Sequence, residues 1–116
     1  MPKTISALDL NRSINSNNPP VVLEALPARY YDQQHLPGAR LFPHDQVEQL
    51  APTMLPNKNA AIVVYCASRA CQNSHMAAHK LRTLGYTDVA VYEGGKADWE
   101  VNGLPFETSQ DNVQAA

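Results

Sequence analysis

The sequence predicts an α/β protein: a parallel sheet covered by helices on both faces. Three observations predict it. The apolar, β-branched runs Val21-Val22-Leu23, Ala60 to Tyr65 and Val89 to Tyr92 lack the polar alternation of a half-exposed strand, so they suit strands buried on both faces. Between them lie stretches with helical spacing and with helix start and stop residues. Strand and helix then alternate along the chain, the order of a parallel sheet with crossover helices.

Each element has a local reason. Ser6 caps the first helix, and Asp9 stands where a capping box places an acid. Asn15 to Pro20 stops that helix and turns the chain into the strand at Val21. Pro27 starts a short helical or irregular piece through Tyr30 and Tyr31. Pro37-Gly38 is a turn, Ala39 to Phe42 a brief second strand, Asp45 to Leu50 a short helix and Pro52 to Asn59 a loop. Ala60 to Tyr65 is the strongest strand in the chain, and Cys66 to Gln72 breaks its pattern.

A helix follows from Asn73 to Leu84. Met76, Ala77, Lys80, Leu81 and Leu84 share its inner face, Lys80 through its stem, and Gly85 is suited to end it. After the strand Val89 to Tyr92, Gly94-Gly95 turns into a last helix that carries Trp99 and stops at Gly103 and Pro105. Residues 1–108 are expected to form one domain and 109–116 a flexible tail.

Composition bounds the function. A chain of 116 residues with 44% hydrophobic and 17% charged residues is globular and can bury a core of its own. No apolar run approaches the ~18 residues of a membrane span. The Met1 to Ser6 start has no signal-peptide core, which points to the cytoplasm. A formal charge of −2 speaks against nucleic-acid binding. Two cysteines make no disulfide scaffold, and both are expected as reduced thiols; they are Cys66 and Cys71, in one short stretch.

That stretch carries the chemistry. Ligands of open parallel sheets bind outside the carboxyl ends of the strands, which is where Cys66 stands. The loop Ala67-Ser68-Arg69-Ala70-Cys71-Gln72 runs from the best strand into a helix N-terminus. If it curls, its backbone N–H groups form an anion cradle, with Arg69 adding positive charge at the tip. Such a cradle stabilises a thiolate, a persulfide or a bound oxyanion. Pattern alone leaves Cys66 equally open to being a buried strand-end cysteine that acts as a small hydrophobe.

Five segments in order resemble the single-domain rhodaneses, a family of sulfurtransferases. They are His35-Leu36-Pro37-Gly38-Ala39, Ile62 to Cys66, Leu84-Gly85-Tyr86, Glu93-Gly94-Gly95 with Trp99, and Gly103-Leu104-Pro105; the likeness covers about Ile5 to Glu107. It implies a three-layer α/β/α fold around a five-stranded parallel sheet. It also implies a catalytic Cys66 that takes sulfane sulfur from a donor such as thiosulfate or a persulfide. Cys66 then passes the sulfur to cyanide, a thiol or a protein acceptor, without a cofactor. Ala67 to Gln72 become the substrate and anion-binding loop, with Arg69 attracting an anionic donor.

The sequence departs from the family pattern in three places. The arginine usually found five residues after the cysteine is replaced by Cys71, as in a subgroup with a second loop cysteine. The first strand, usually ending Asp-x-Arg, reads Glu24-Ala25-Leu26 and loses a positive charge. Gln72 stands where phosphatase-like relatives need an arginine to grip phosphate, which disfavours phosphatase or arsenate-reductase chemistry. Cys71 admits two roles: a resolving thiol that closes on Cys66, or a small loop filler, the simpler of the two. Two other functions fit the departures: a non-catalytic rhodanese-like interaction module, which the retained Cys66 opposes, and a redox sensor using Cys66 and Cys71.

Other polar residues receive structural roles. Cys71, His75 and His79 share a helix face, and with Cys66 would make four ligands, but the spacing matches no zinc pattern, so no metal is expected. His35 is expected to be structural, its turn packing beneath the loop. Glu24 falls either at a strand's carboxyl edge near the loop or, as is commoner for such an acid, at the cap of a neighbouring turn; Lys96 is expected to border the pocket, and Tyr30, Tyr31 and Trp99 to lie in or beside the core.

Overall fold

The computed structural model describes residues 3–109. It has five strands, β1 (Lys3–Thr4), β2 (Val21–Glu24), β3 (Arg40–Leu41), β4 (Ile62–Tyr65) and β5 (Val89–Tyr92), and five helices, α1 (Ala7–Ile14), α2 (Ala28–Gln33), α3 (Val47–Met54), α4 (Asn73–Thr83) and α5 (Gly95–Val101). The strands form one parallel sheet in the order β1-β5-β4-β2-β3. The predicted fold class is therefore the one observed.

The period of two along each strand divides the core into two layers. Leu23, Ile62, Val64, Val89 and Val91 face α3 and α4, where they meet Val47, Ala51, Ala77, Ala78 and Leu81. Val22, Val63, Tyr65, Ala90 and Tyr92 face the other way, against Ala7 and Leu10 of α1 and Trp99 of α5. The register aligns Glu24, Tyr65 and Tyr92 as the last row of the three central strands. The polar ends of these side chains lie at the carboxyl edge, where the loop after Cys66 begins.

Three details differ from the sequence reading. β1 carried no strand signal: its two residues are exposed, and pairing with β5 defines it, extended by Ile5 N–H donating to Val91 O at 3.2 Å. α3 runs on through Pro52 to Met54. Pro52 faces solvent, and the buried Tyr86 hydroxyl lies 3.2 Å from Ala51 O and 2.6 Å from Leu55 O, so the tertiary contact outweighs a helix breaker. In α4 the buried stripe is Ser74, Ala77, Ala78 and Leu81, and Met76 is turned outward. Of the expected tail, residues 110–116 lie outside the described residues, while Ser109 donates to Asp32 Oδ1 at 3.1 Å.

The predicted cap is present: Ser6 Oγ accepts the N–H of Asp9, at 3.2 Å, and Asp9 itself pairs with Arg12. Among the described residues no helix is long and apolar enough to cross a membrane.

Candidate active site

Cys66 is the first residue beyond β4 and only 1% exposed. Its Sγ lies 3.3 Å from the carbonyl oxygen of Cys71 and 3.4 Å from Oγ of Ser74, in the first turn of α4. The backbone N–H of Ser74 also faces the sulfur. Burial pushes the Cys66 thiol up, the adjacent Cys71 side chain adds to this, and the hydroxyl and N–H of Ser74 oppose it. The sequence suggested a cradle of amides from Ala67 to Gln72. The groups described against the sulfur are instead the Cys71 carbonyl, which accepts from the protonated thiol, and Ser74, whose hydroxyl and N–H favour the thiolate. Ser74 was missed as a site residue; its position at a helix start just after the loop was the signal that could have found it.

Two segments shape the loop. Within it, Cys71 N–H donates to Ser68 O at 3.1 Å, closing a turn around Arg69 and Ala70. From outside, the N–H groups of Lys96 and Ala97, near the start of α5, donate to Cys66 O at 3.1 Å and Ala67 O at 2.9 Å. Donors that a helix N-terminus leaves free thus hold the loop's first two carbonyls. So close an approach requires glycine at Gly95: its φ is +64°, and an added Cβ would stand 2.5 Å from Cys66 O.

The rim is charged but self-paired. Arg69, on the exposed tip, has a guanidinium nitrogen 4.0 Å from one carboxylate oxygen of Glu93, and His75 Nε2 lies 3.3 Å from the other. Arg69 and Glu93 also border a cleft of about 430 Å³ that reaches Ile5, Ser6, Leu8 and Asp98. Ala67, Ala70 and Gln72 are exposed, while Ser68 and Cys71 are half-buried. His79 is exposed, and among the described residues no three His, Cys, Asp or Glu side chains converge as a metal site.

Beneath the loop is a buried polar network. Glu24, fully buried, accepts from Tyr65 Oη at 2.7 Å and from Lys96 Nζ at 2.9 Å. Lys96 also donates to Tyr30 O at 2.8 Å, and Tyr65 Oη accepts the N–H of Leu36 at 3.1 Å. Burial raises the Glu24 carboxyl above its ordinary range, although Tyr65 and Lys96 pull it down. Burial and the Glu24 charge drive the Tyr65 phenol far upward, so it stays a neutral donor. Lys96, in the first turn of α5, supplies the cation that pairs with Glu24, while Leu26, two residues beyond β2, is buried and apolar. Glu24 is thus a core acid and not a turn cap.

His35 is buried beside this network. It stacks on Tyr31 at 3.9 Å and makes a 2.9 Å hydrogen bond between Nδ1 and Tyr31 O. Its main chain forms a two-bond antiparallel bridge with Glu107, each bond 2.8 Å. The Leu36 bond to Tyr65 places this turn beneath the loop. Trp99 is fully buried, Tyr31 half-buried and Tyr30 partly exposed.

Fold and site together describe an α/β domain with a buried cysteine at the carboxyl edge of a parallel sheet, seated against a helix start. The chain belongs to the rhodanese-like domain family, whose model matches residues 6–102. Among solved structures, a rhodanese with anions from E. coli is 28% identical, with a TM-score of 0.65 over 77% of this chain and 98% of its own. A rhodanese-like domain from Anabaena is also 28% identical, with a TM-score of 0.69 over 76% of this chain and 98% of its own. A thiosulfate sulfurtransferase from Pseudomonas aeruginosa shares the fold at 22% identity and a TM-score of 0.81, over 94% of this chain and 21% of that one. No curated protein sequence matches significantly.

Proposed function

We propose that the chain is a rhodanese-type sulfurtransferase that carries sulfane sulfur as a persulfide on Cys66. The observation that carries this is the seat of the sulfur: Cys66 Sγ stands at the start of α4, 3.4 Å from Ser74 Oγ and facing the Ser74 N–H. A helix N-terminus and two donors favour negative charge on sulfur once the proton has left.

With thiosulfate as donor, the Cys66 thiolate attacks the sulfane sulfur. The sulfur–sulfur bond of the donor breaks, sulfite departs with the electron pair, and a persulfide anion remains on Cys66. An acceptor nucleophile (cyanide, a thiol or a protein thiol) then attacks the outer sulfur and restores the thiolate. Neither step needs a cofactor or a general base acting on a formed thiolate. In the persulfide state the Cys71 carbonyl has to turn away, so that loop amides from Ala67 to Gln72 face the new anion. Arg69 at the rim receives an anionic donor.

The test follows the sulfur. The wild type is expected to release sulfite from thiosulfate and to yield thiocyanate when cyanide is in excess; Cys66→Ser is expected to do neither. Absence of sulfite and thiocyanate with thiosulfate, a thiosulfonate and polysulfide would remove the sulfurtransferase reading.

A further inference from the structure

We infer that Cys71 is an internal acceptor for the sulfur on Cys66: it closes on the Cys66 sulfur as a disulfide and releases the outer sulfur as hydrosulfide. This rests on the sulfurtransferase function proposed above and adds to it a second thiol and a product.

Three observations carry the inference. Cys71 folds back onto the reacting atom, its carbonyl 3.3 Å from Cys66 Sγ through the turn closed by the Ser68 bond. Both thiols are free, and the Cys71 side chain is near enough to act on the Cys66 thiol. Cys71 is half-buried and belongs to neither apolar cluster, so it does not fill the core as a small hydrophobe does.

The chemistry balances without an added oxidant, because the sulfane sulfur is the oxidant. The Cys71 sulfur attacks the inner, Cys66 sulfur. The bond from Cys66 Sγ to the outer sulfur breaks, and its electron pair leaves with the outer sulfur. The Cys71 proton goes with it, giving hydrosulfide. Two cysteine sulfurs are oxidised to a disulfide and one sulfane sulfur is reduced to sulfide. Attack on the inner sulfur keeps Cys66 bonded and expels hydrosulfide, the base of a stronger acid than an ordinary cysteine thiol and so a ready leaving group. The disulfide then presents the more exposed Cys71 sulfur to solvent, where a low-molecular-weight thiol can attack it. A second thiol completes the reduction, so each cycle turns thiosulfate and two thiols into sulfite, hydrosulfide and an external disulfide.

The test uses the full chain, reduced and freed of reductant, with thiosulfate and no acceptor. Sulfite, sulfide and the intact mass after thiol alkylation are followed for the wild type, Cys71→Ser and Cys71→Ala. The wild type is expected to release one sulfide per chain alongside one sulfite and to lose both alkylatable thiols. The Cys71 variants are expected to release the sulfite, no sulfide, and to retain one added sulfur on Cys66. Because Cys71 lies in the proposed anion-binding loop, the variants are compared at the end point of sulfite release and not by its rate; that sulfite shows that they are folded and competent. A wild type that keeps the added sulfur and a free Cys71, or that releases no more sulfide than the variants, overturns the inference while leaving the sulfurtransferase intact. Absence of sulfite from all three removes the sulfurtransferase itself, and this inference with it.

Discussion

Lys96 grips Glu24 with its side chain and Cys66 with its backbone: Nζ is 2.9 Å from Glu24 Oε2, and its N–H donates to the Cys66 carbonyl at 3.1 Å. One residue thus joins the buried Glu24 charge to the start of the Cys66 loop. Removing the cation alone leaves a buried carboxylate unpaired, which costs about 3–5 kcal/mol. Lys96→Met is expected to lower stability by about that much in urea unfolding. Replacing both partners, Glu24→Gln with Lys96→Met, is expected to recover most of it. Equal losses in the single and double variants would show that an unpaired carboxylate is not the cause of the loss.

The same acid sets a pH dependence. Burial holds the folded-state Glu24 carboxyl above its ordinary value of 4.5. The folded state therefore holds this proton more tightly than the unfolded chain. The stabilisation from that proton is full below the unfolded value and is lost as pH rises through the folded one. Glu24→Gln is expected to flatten the stability profile on the alkaline side of pH 4.5. An unchanged slope in unfolding measured across that range would contradict it.

Gly95→Ala tests the contact between α5 and the loop. The new Cβ would meet Cys66 O at 2.5 Å and Ala67 C at 2.8 Å, on a backbone with φ of +64°. Strain of about 1–3 kcal/mol is expected in chemical unfolding, with a larger fractional loss of sulfite release than of stability. Gly103→Ala, at a φ of +70° with open space around it, is the control: it is expected to destabilise without selectively impairing sulfur transfer.

Ser74 and pH act on one quantity, the fraction of Cys66 thiolate. Since the thiol is pushed up, sulfite release is expected to keep rising with pH beyond about 8.5, the ordinary thiol value. Ser74→Ala removes a donor that favours the thiolate. It is expected to slow the reaction about tenfold at neutral pH, for about 1.5 kcal/mol, and to recover toward the wild type in alkaline buffer. A loss independent of pH would assign Ser74 to packing.

Glu93 competes with any anion for Arg69. Glu93→Gln is expected to raise kcat/KM for thiosulfate by at most about fivefold, the scale of an exposed pair near 1 kcal/mol, and the gain should fade as salt is added. An uncharged donor should show little change.

The sheet was legible because its three central strands are apolar on both faces; that pattern names Val21–Glu24, Ile62–Tyr65 and Val89–Tyr92 almost residue by residue. β1 was not, because two exposed residues become a strand only by pairing with β5. Cys66 was legible from its place after the best strand. Ser74 and the Glu24–Lys96 pair were not, because each depends on partners brought together by the fold, Lys96 lying 72 positions after Glu24. Pro52 misled for the opposite reason: its local signal is a stop, and a distant tyrosine hydroxyl supplies the end of the helix.

The two α5 donors on Cys66 O and Ala67 O divide the loop mechanically. Its first two residues are clamped to the body of the domain, while the turn from Ser68 to Cys71 closes on itself. The site is built like a vice with one jaw bolted and the other carried on an arm. Cys66 is held through its own carbonyl and that of Ala67, so substitutions among the five residues after Ala67 are expected to alter the self-closed turn without displacing Cys66. Of the departures first noted in the sequence, Cys71 lies in the self-closed turn, while Leu26 lies outside the loop, buried two residues beyond β2.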